Sequence, residues 1–277
     1  MAAKSISGFW RWFWIVLVGI VFGTIWYFII MASVSSYYEN EGDRLFYDQK
    51  YEEAIDAYDT SLKFEPENAV VYNSLGFTEY RLKHNDKAMK AYEKALSIDD
   101  ENENVYYNIG TVYLEEKSYS KALESYEKVV ELSPYYMNIY NTMGIVYSEM
   151  GNYQKAKEMF LKYLEVEPED NYIAYNNIFE LDLTNNKPTD EAFESEFFEK
   201  FSDDQEALIS YEMLKGFKLI SKGEQEDMRA WDEKYKDVSL GGWGYDEIDA
   251  WINKTEDEVI KSKLIEAQRL VKAHKND

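Results

Sequence analysis

Cysteine is absent from this 277-residue chain, so no disulfide framework, thiolate nucleophile or cysteine-based metal centre is available to it. Histidine occurs twice, at His84 and His274, too sparsely for a metal or general-base site built on imidazole. No serine has a histidine and a carboxylate spaced to make a triad recognisable. Strand-like alternation is missing as well, so Gly241-Gly242-Trp243-Gly244 reads as a turn: it lacks both the preceding strand and the following Lys-Ser or Lys-Thr of a phosphate loop. Carboxylate pairs such as Asp99-Asp100 and Asp203-Asp204 carry little information among 53 acidic residues. The expectation is a chain with no catalytic residues, no metal and no cofactor.

Basic residues are also scarce, 30 against 53 acidic, for a formal net charge of −23. Lys4 and Arg11 are the only charges in residues 1–32, so the remainder is more acidic still. A surface of that sign repels phosphate backbones, and no nucleic-acid partner is expected.

What the chain does have is one long apolar run. Phe9 to Ala32 is apolar apart from Arg11 and Thr24, and it exceeds the roughly 20 residues that cross a bilayer as a helix. Trp10, Trp12 and Trp14 at one end, with Trp26 and Tyr27 at the other, match interfacial aromatic belts. A cleaved signal peptide is the rival reading, with Ala32-Ser33-Val34-Ser35 as its only cleavage candidate, but the run is long for one. Lys4 and Arg11 precede the segment, while Glu39, Glu41 and Asp43 outnumber Arg44 after it. The positive-inside rule therefore places residues 1–8 in the cytoplasm and everything after residue 32 on the far side, periplasmic if the source is bacterial. Gly19 and Gly23 form a G-x-x-x-G pair that would let two such helices approach closely. No proline or glycine separates Ile25 from Glu41, so membrane helix and following domain are expected without a flexible linker.

The second positive feature is a repeat of 34 residues. Gly110 falls in register with Gly42, Gly76 and Gly144; Ala122 with Ala54, Ala88 and Ala156; Tyr126 with Tyr58, Tyr92 and Phe160. Tyr106 likewise meets Tyr38, Tyr72 and Tyr140, and Pro66, Pro134 and Pro168 close three of the four copies. Within one copy, Tyr106, Ile109, Tyr113 and Leu114 make one stripe of a helix over 104–117, and Ala122, Leu123, Tyr126, Val129 and Val130 a stripe of a second over 118–132. Small residues at 110 and 122 imply that the two helices cross closely there.

These residues resemble the tetratricopeptide repeat family, whose helix-turn-helix unit has the same length and the same order of aromatic, Leu-Gly, Tyr, Ala, aromatic, Ala and Pro. Leu75-Gly76, Ile109-Gly110, Met143-Gly144, Tyr113, Tyr147 and Ala95 fit; Glu41, Glu79 and Asp100 depart from it. The resemblance implies an all-α solenoid, a right-handed superhelix of copies 35–68, 69–102, 103–136 and 137–170 after the transmembrane helix 9–32. Residues 171–204 read as a degenerate fifth copy, and 205–277 as a C-terminal helical region that caps the open end. A capping box at Thr255 and Glu258 would open a last helix over about 256–274, and Asn253-Lys254-Thr255 is a weak glycosylation pattern.

The same resemblance implies a groove lined by the first helix of each copy, at positions six and three before the glycine and one, four and five after it. Those are Val70, Asn73, Phe77, Tyr80 and Arg81; Asn104, Tyr107, Thr111, Leu114 and Glu115; and Asn138, Asn141, Ile145, Ser148 and Glu149, with Asn108 beside them. Asparagine amides and tyrosine rings suit an extended peptide, although both residue types also serve contacts between helices. Repeats that clamp a C-terminal carboxylate use Lys or Arg six, three and two before the glycines, and here none of those positions is basic. The expected function is a membrane-anchored scaffold that holds a protein or peptide partner at an envelope complex. A chaperone-like factor with transient clients and an accessory subunit of an enzyme complex are the alternatives.

Overall fold

The computed structural model describes residues 2–204 apart from 137, 169, 170, 186 and 189, together with Ala207, Leu208, Tyr211 and Leu214. The expectations for the last helix, the capping box, Gly241–Gly244 and Asn253 lie outside the described residues. Among those residues there are helices and turns but no strand. The chain divides into two units, Met1–Tyr136 and Met137–Asp277.

The first unit is built from α1 (Ala2–Tyr47), α2 (Tyr51–Phe64), α3 (Ala69–Arg81), α4 (Asn85–Ile98), α5 (Glu103–Glu115) and α6 (Tyr119–Leu132). They pack as three antiparallel hairpins, α1 with α2, α3 with α4 and α5 with α6, while α1 also touches α3 and α3 touches α5. α1 is a single helix of 46 residues; its interior has no proline to break it. From Trp12 onward it is long and apolar enough to cross a membrane, and the apolar stretch that begins there is not buried. Near its far end Thr24 and Ser33 donate to the helix's own carbonyls, Thr24 Oγ1 to Val21 O at 2.9 Å and Ser33 Oγ to Ile29 O at 2.7 Å. Packing begins where the apolar run stops: Ser35, fully buried, meets Ser61 of α2 with 2.9 Å between the hydroxyl oxygens.

Each hairpin is tight for the same reason. A Cβ placed on Gly42 would lie 2.5 Å from the Tyr58 ring, and one on Gly76 2.6 Å from Tyr92. Gly110 stands under Tyr126 in the same way. The close approach expected between Gly110 and Ala122 is thus corrected in detail. The space a side chain at 110 would need is filled by an aromatic ring, and Ala122, also fully buried, is small for its own place in the core.

The turn inside each hairpin recurs with the same period. Gln49, Lys83, Lys117 and Gly151 all have positive φ, between 57° and 70°. Around each, two backbone amides close the end of the first helix: Lys83 N donates to Tyr80 O at 2.8 Å and His84 N to Glu79 O at 2.9 Å, with the same pattern at Lys117 and Ser118. This is a left-handed helix cap, usually held by glycine, and only the fourth hairpin uses one. The opposite turns are capped by asparagine, where Asn68 Oδ1 accepts from Val71 N and Asn102 Oδ1 from Val105 N. Glu79, which stands where the repeat expects tyrosine, is buried and keeps its carboxylate partnered by His84 Nδ1 at 2.7 Å and Lys87 Nζ at 3.4 Å.

The second unit contains α7 (Ile139–Glu149), α8 (Tyr153–Val166), α9 (Tyr172–Thr184) and α10 (Glu191–Lys200). α7 and α8 repeat the hairpin with Phe160 over Gly144. α9 packs on α8, and its Tyr175 and Phe179 form a core with Phe197, Phe201, Ala207, Tyr211 and Leu214. Buried Asp182 is held by Lys157 Nζ at 2.9 Å and by the Tyr153 hydroxyl at 2.6 Å. Burial works against the Lys157 charge, but Asp182 and Tyr153 outweigh it and hold the ammonium above its ordinary range.

Candidate partner-binding face

In the first unit, the first helices α1, α3 and α5 form one layer, and the residues that follow their glycines share one face of it. Phe77 lies 5.4 Å from the Phe46 ring and 6.3 Å from Tyr80, centroid to centroid. Tyr107 packs 5.7 Å from Tyr126 and 5.3 Å from Tyr136. Phe46, Phe77 and Tyr80 are one cluster of an aromatic strip on this face, with exposed Tyr47 beside Phe46, and Tyr107 with Tyr136 is a second, Tyr126 being fully buried. Phe46 and Tyr136 belong to the strip but not to the groove expected from sequence. Phe46 stands four after Gly42, the position that Tyr80 holds after Gly76, so applying the repeat register to the first copy finds it. Tyr136 lies after the last helix of the unit, where periodicity gives no signal.

The amides are more committed than the rings. Asn108 Nδ2 donates to Asn73 Oδ1 at 2.9 Å, tying α5 to α3. Asn104 Oδ1 accepts from the Tyr136 hydroxyl at 2.9 Å. Thr111 Oγ1 donates to its own helix at Tyr107 O and stands 3.4 Å from the Tyr126 hydroxyl. Arg81 is exposed, its guanidinium 5.5 Å from the Tyr51 ring centre. Burial pushes the Tyr80 hydroxyl up, and the Glu115 carboxylate beside it adds to the shift; Glu115 is in turn held below the usual carboxylate range by Lys83, 2.5 Å away. Beneath the strip, the Tyr58 hydroxyl donates to Asp43 at 2.7 Å, while the Tyr92 hydroxyl, fully buried, meets no partner among the described residues.

The second unit carries the other three expected residues. Asn138 is the left-handed residue before α7, with φ of 59°, and its Oδ1 accepts from the Tyr163 hydroxyl. Asn141 Oδ1 accepts from Asn177 Nδ2 at 2.6 Å, an amide link from α7 to α9. Ile145 is 41% exposed. Among the described residues no three carboxylate or imidazole side chains gather to hold a metal ion.

Helix hairpins in a fixed 34-residue register, glycine under aromatic in each, define an α-helical repeat protein. A tetratricopeptide-repeat family model matches residues 101–168, and a TPR-repeat model matches 42–83 and 78–117. The chain therefore carries tetratricopeptide repeats, modules whose stacked concave faces bind proteins and peptides. Among solved structures it is similar to pilF of Pseudomonas aeruginosa, at 18% identity and a TM-score of 0.58 over 80% of this chain and 99% of that one. It is also similar to MamA, at 24% identity and a TM-score of 0.51 over 62% of this chain and 95% of that one. At these identities the likeness is one of fold. No curated protein matches the sequence.

Proposed function

We propose that this protein is a non-catalytic, membrane-anchored scaffold that holds a partner protein against the first helices of its repeats. The observation that carries the reading is the aromatic strip of Phe46, Phe77, Tyr80 and Tyr107, set between exposed Val70 and Arg81. Rings on a rigid helical layer give contact area at little entropic cost. The amides of Asn73, Asn108 and Asn141 bond neighbouring helices, so they set the spacing of the face and leave contact to the rings and to Val70, Arg81 and Ile145. The anchor is Phe9–Ala32, which crosses the bilayer with residues 1–8 in the cytoplasm and the repeats on the other side. The Thr24 hydroxyl within this stretch and the Ser33 hydroxyl just past it bond to their own helix, which suits a lipid surrounding. Gly19 and Gly23, whose Cβ positions open on empty space, provide the face on which two anchors pair.

The test is a double change, Val70→Asp with Arg81→Glu, in the full chain purified from native membranes after cross-linking. One stoichiometric partner should be recovered with the wild type, and the variant should bind it at least tenfold more weakly with unchanged helical content. Recovery of the same partner in the same yield from the variant defeats the reading.

A further inference from the structure

The geometry of α1 ties the first two hairpins to the apolar run. The same uninterrupted helix supplies the apolar run and the first helix of the first hairpin. Ser35, where α2 begins to pack, lies three positions past Ala32, the end of the run; at 1.5 Å per residue that is roughly 5 Å. α2 runs back antiparallel, since Tyr58 stacks under Gly42 while Ser61 meets Ser35 and Phe64 stacks on Tyr38. The turn from α2 to α3 therefore lies level with the end of the apolar run. α3 then rises alongside α1, touching it at Phe46 and Phe77. The helix axes of the first two hairpins thus lie along the direction in which α1 leaves the apolar run.

Resting on the reading that Phe9–Ala32 spans a bilayer, we infer that these hairpins stand upright on it, so that successive repeats begin along the membrane surface and the aromatic face opens sideways over the headgroups. One rim of the hairpins, the turn holding Glu65 and Glu67, borders the lipid. The other rim, with Lys50, Lys83 and Lys87, stands one helix length away, roughly 20 Å for the 13 residues of α3. The two rims differ in charge as well as in height. Lys83 and Lys50 stand near Glu115 and Glu53, at 2.5 and 4.0 Å, whereas exposed Glu65 has no ion-pair partner among the described residues and Glu67 has Lys94 at 3.7 Å. A lipid-facing rim of that sign does not adhere to anionic headgroups, so the position is set by the helix and not by surface attraction. A partner that reaches Phe46 and Phe77 does so within about 20 Å of the bilayer.

Because the chain has no cysteine, a single one can be labelled uniquely. Glu67→Cys and Lys83→Cys, each carrying a donor dye, are reconstituted as full chains in phosphatidylcholine vesicles with acceptor-labelled lipid. Transfer from position 67 should exceed that from 83 by a margin that reads as roughly 20 Å, and inserting a ten-residue Gly-Ser linker after Ala32 should abolish the margin. Equal transfer from the two sites in the uninterrupted chain overturns the upright arrangement. A margin that survives the linker overturns α1 as its cause. Failure of the chain to float with the vesicles defeats the membrane reading itself and the inference with it.

Discussion

One helix, α1, is two different objects along its length, and glycine tells them apart. In the apolar half, Gly19 and Gly23 face open space, and Trp12, Phe22, Trp26 and Phe28 stand exposed around them. In the repeat half, Gly42 lies under Tyr58, and Ser35 and Leu45 are buried against α2. Backbone geometry is the same throughout; what differs is whether a neighbouring helix is present. On the proposed membrane reading, the first half is helical because a bilayer leaves a lone segment no other way to satisfy its peptide groups. The second is helical because an amphipathic face has a partner to bury it.

That contrast is broken most directly at the glycines. Gly42→Leu forces atoms into the Tyr58 ring and should destabilise the first hairpin by about 1–3 kcal/mol, read as a lower midpoint of thermal unfolding. Gly19→Leu, with nothing near its Cβ, should leave the same midpoint unmoved. If both variants melt like the wild type, the ring contact at Gly42 is not a constraint. If both fall together, the two halves of α1 are not distinct.

A second effect separates hairpins that look alike. Tyr58 and Tyr92 cover equivalent glycines, but the first hydroxyl donates to Asp43 and the second meets no partner among the described residues. Tyr58→Phe should cost about 1.5 kcal/mol, the worth of a hydrogen bond to a charged acceptor at the low end. Tyr92→Phe should be neutral or stabilising, because it removes a buried polar atom. Equal losses in the two variants would mean that the Tyr92 hydroxyl has a partner in solution.

How much of this was legible in the sequence follows from which interactions repeat. Gly110, Ala122 and Tyr126 recur at 34 because every hairpin has the same crossing to make, and that periodicity yields the fold. The left-handed turn was not legible: the backbone repeats at 49, 83, 117 and 151, but the residues are Gln, Lys, Lys and Gly, and only the last announces the conformation. The proposed partner-binding face was half legible. Register alone finds Phe77, Tyr80 and Tyr107, but not that Asn73 and Asn141 bond to Asn108 and Asn177, since an asparagine reads the same whether its amide meets a helix or a ligand. The turn offers a third, smaller prediction. Lys117→Gly relieves a non-glycine left-handed residue and should raise stability by less than about 1 kcal/mol, the strain removed being partly offset by a more flexible unfolded chain. A lower unfolding midpoint for this variant would show that the Lys117 side chain contributes more than its backbone costs.

The smallest expected effect lies where the two halves of α1 meet. Glu39 sits just past the apolar run, and burial raises its carboxyl above the ordinary 4.5, with Asp43 and Glu65 adding to the shift and a hydrogen bond from Asn68 opposing it. A carboxyl raised in the folded state binds its proton more tightly there than in the unfolded chain. Its favourable contribution is therefore full below pH 4.5 and is lost as pH rises through the raised value, so at neutral pH the charge costs stability. Glu39→Gln removes the charge and retains an oxygen for the Asn68 amide, so it should raise the unfolding midpoint at pH 7 by roughly 1 °C, water screening keeping the effect small. Below pH 4.5 variant and wild type should converge, because Glu39 is then protonated. A gain that stays constant from pH 7 to pH 4 would assign the effect to packing and remove the electrostatic contrast between the apolar half of α1, which has no such carboxylate, and the repeat half, which begins with one.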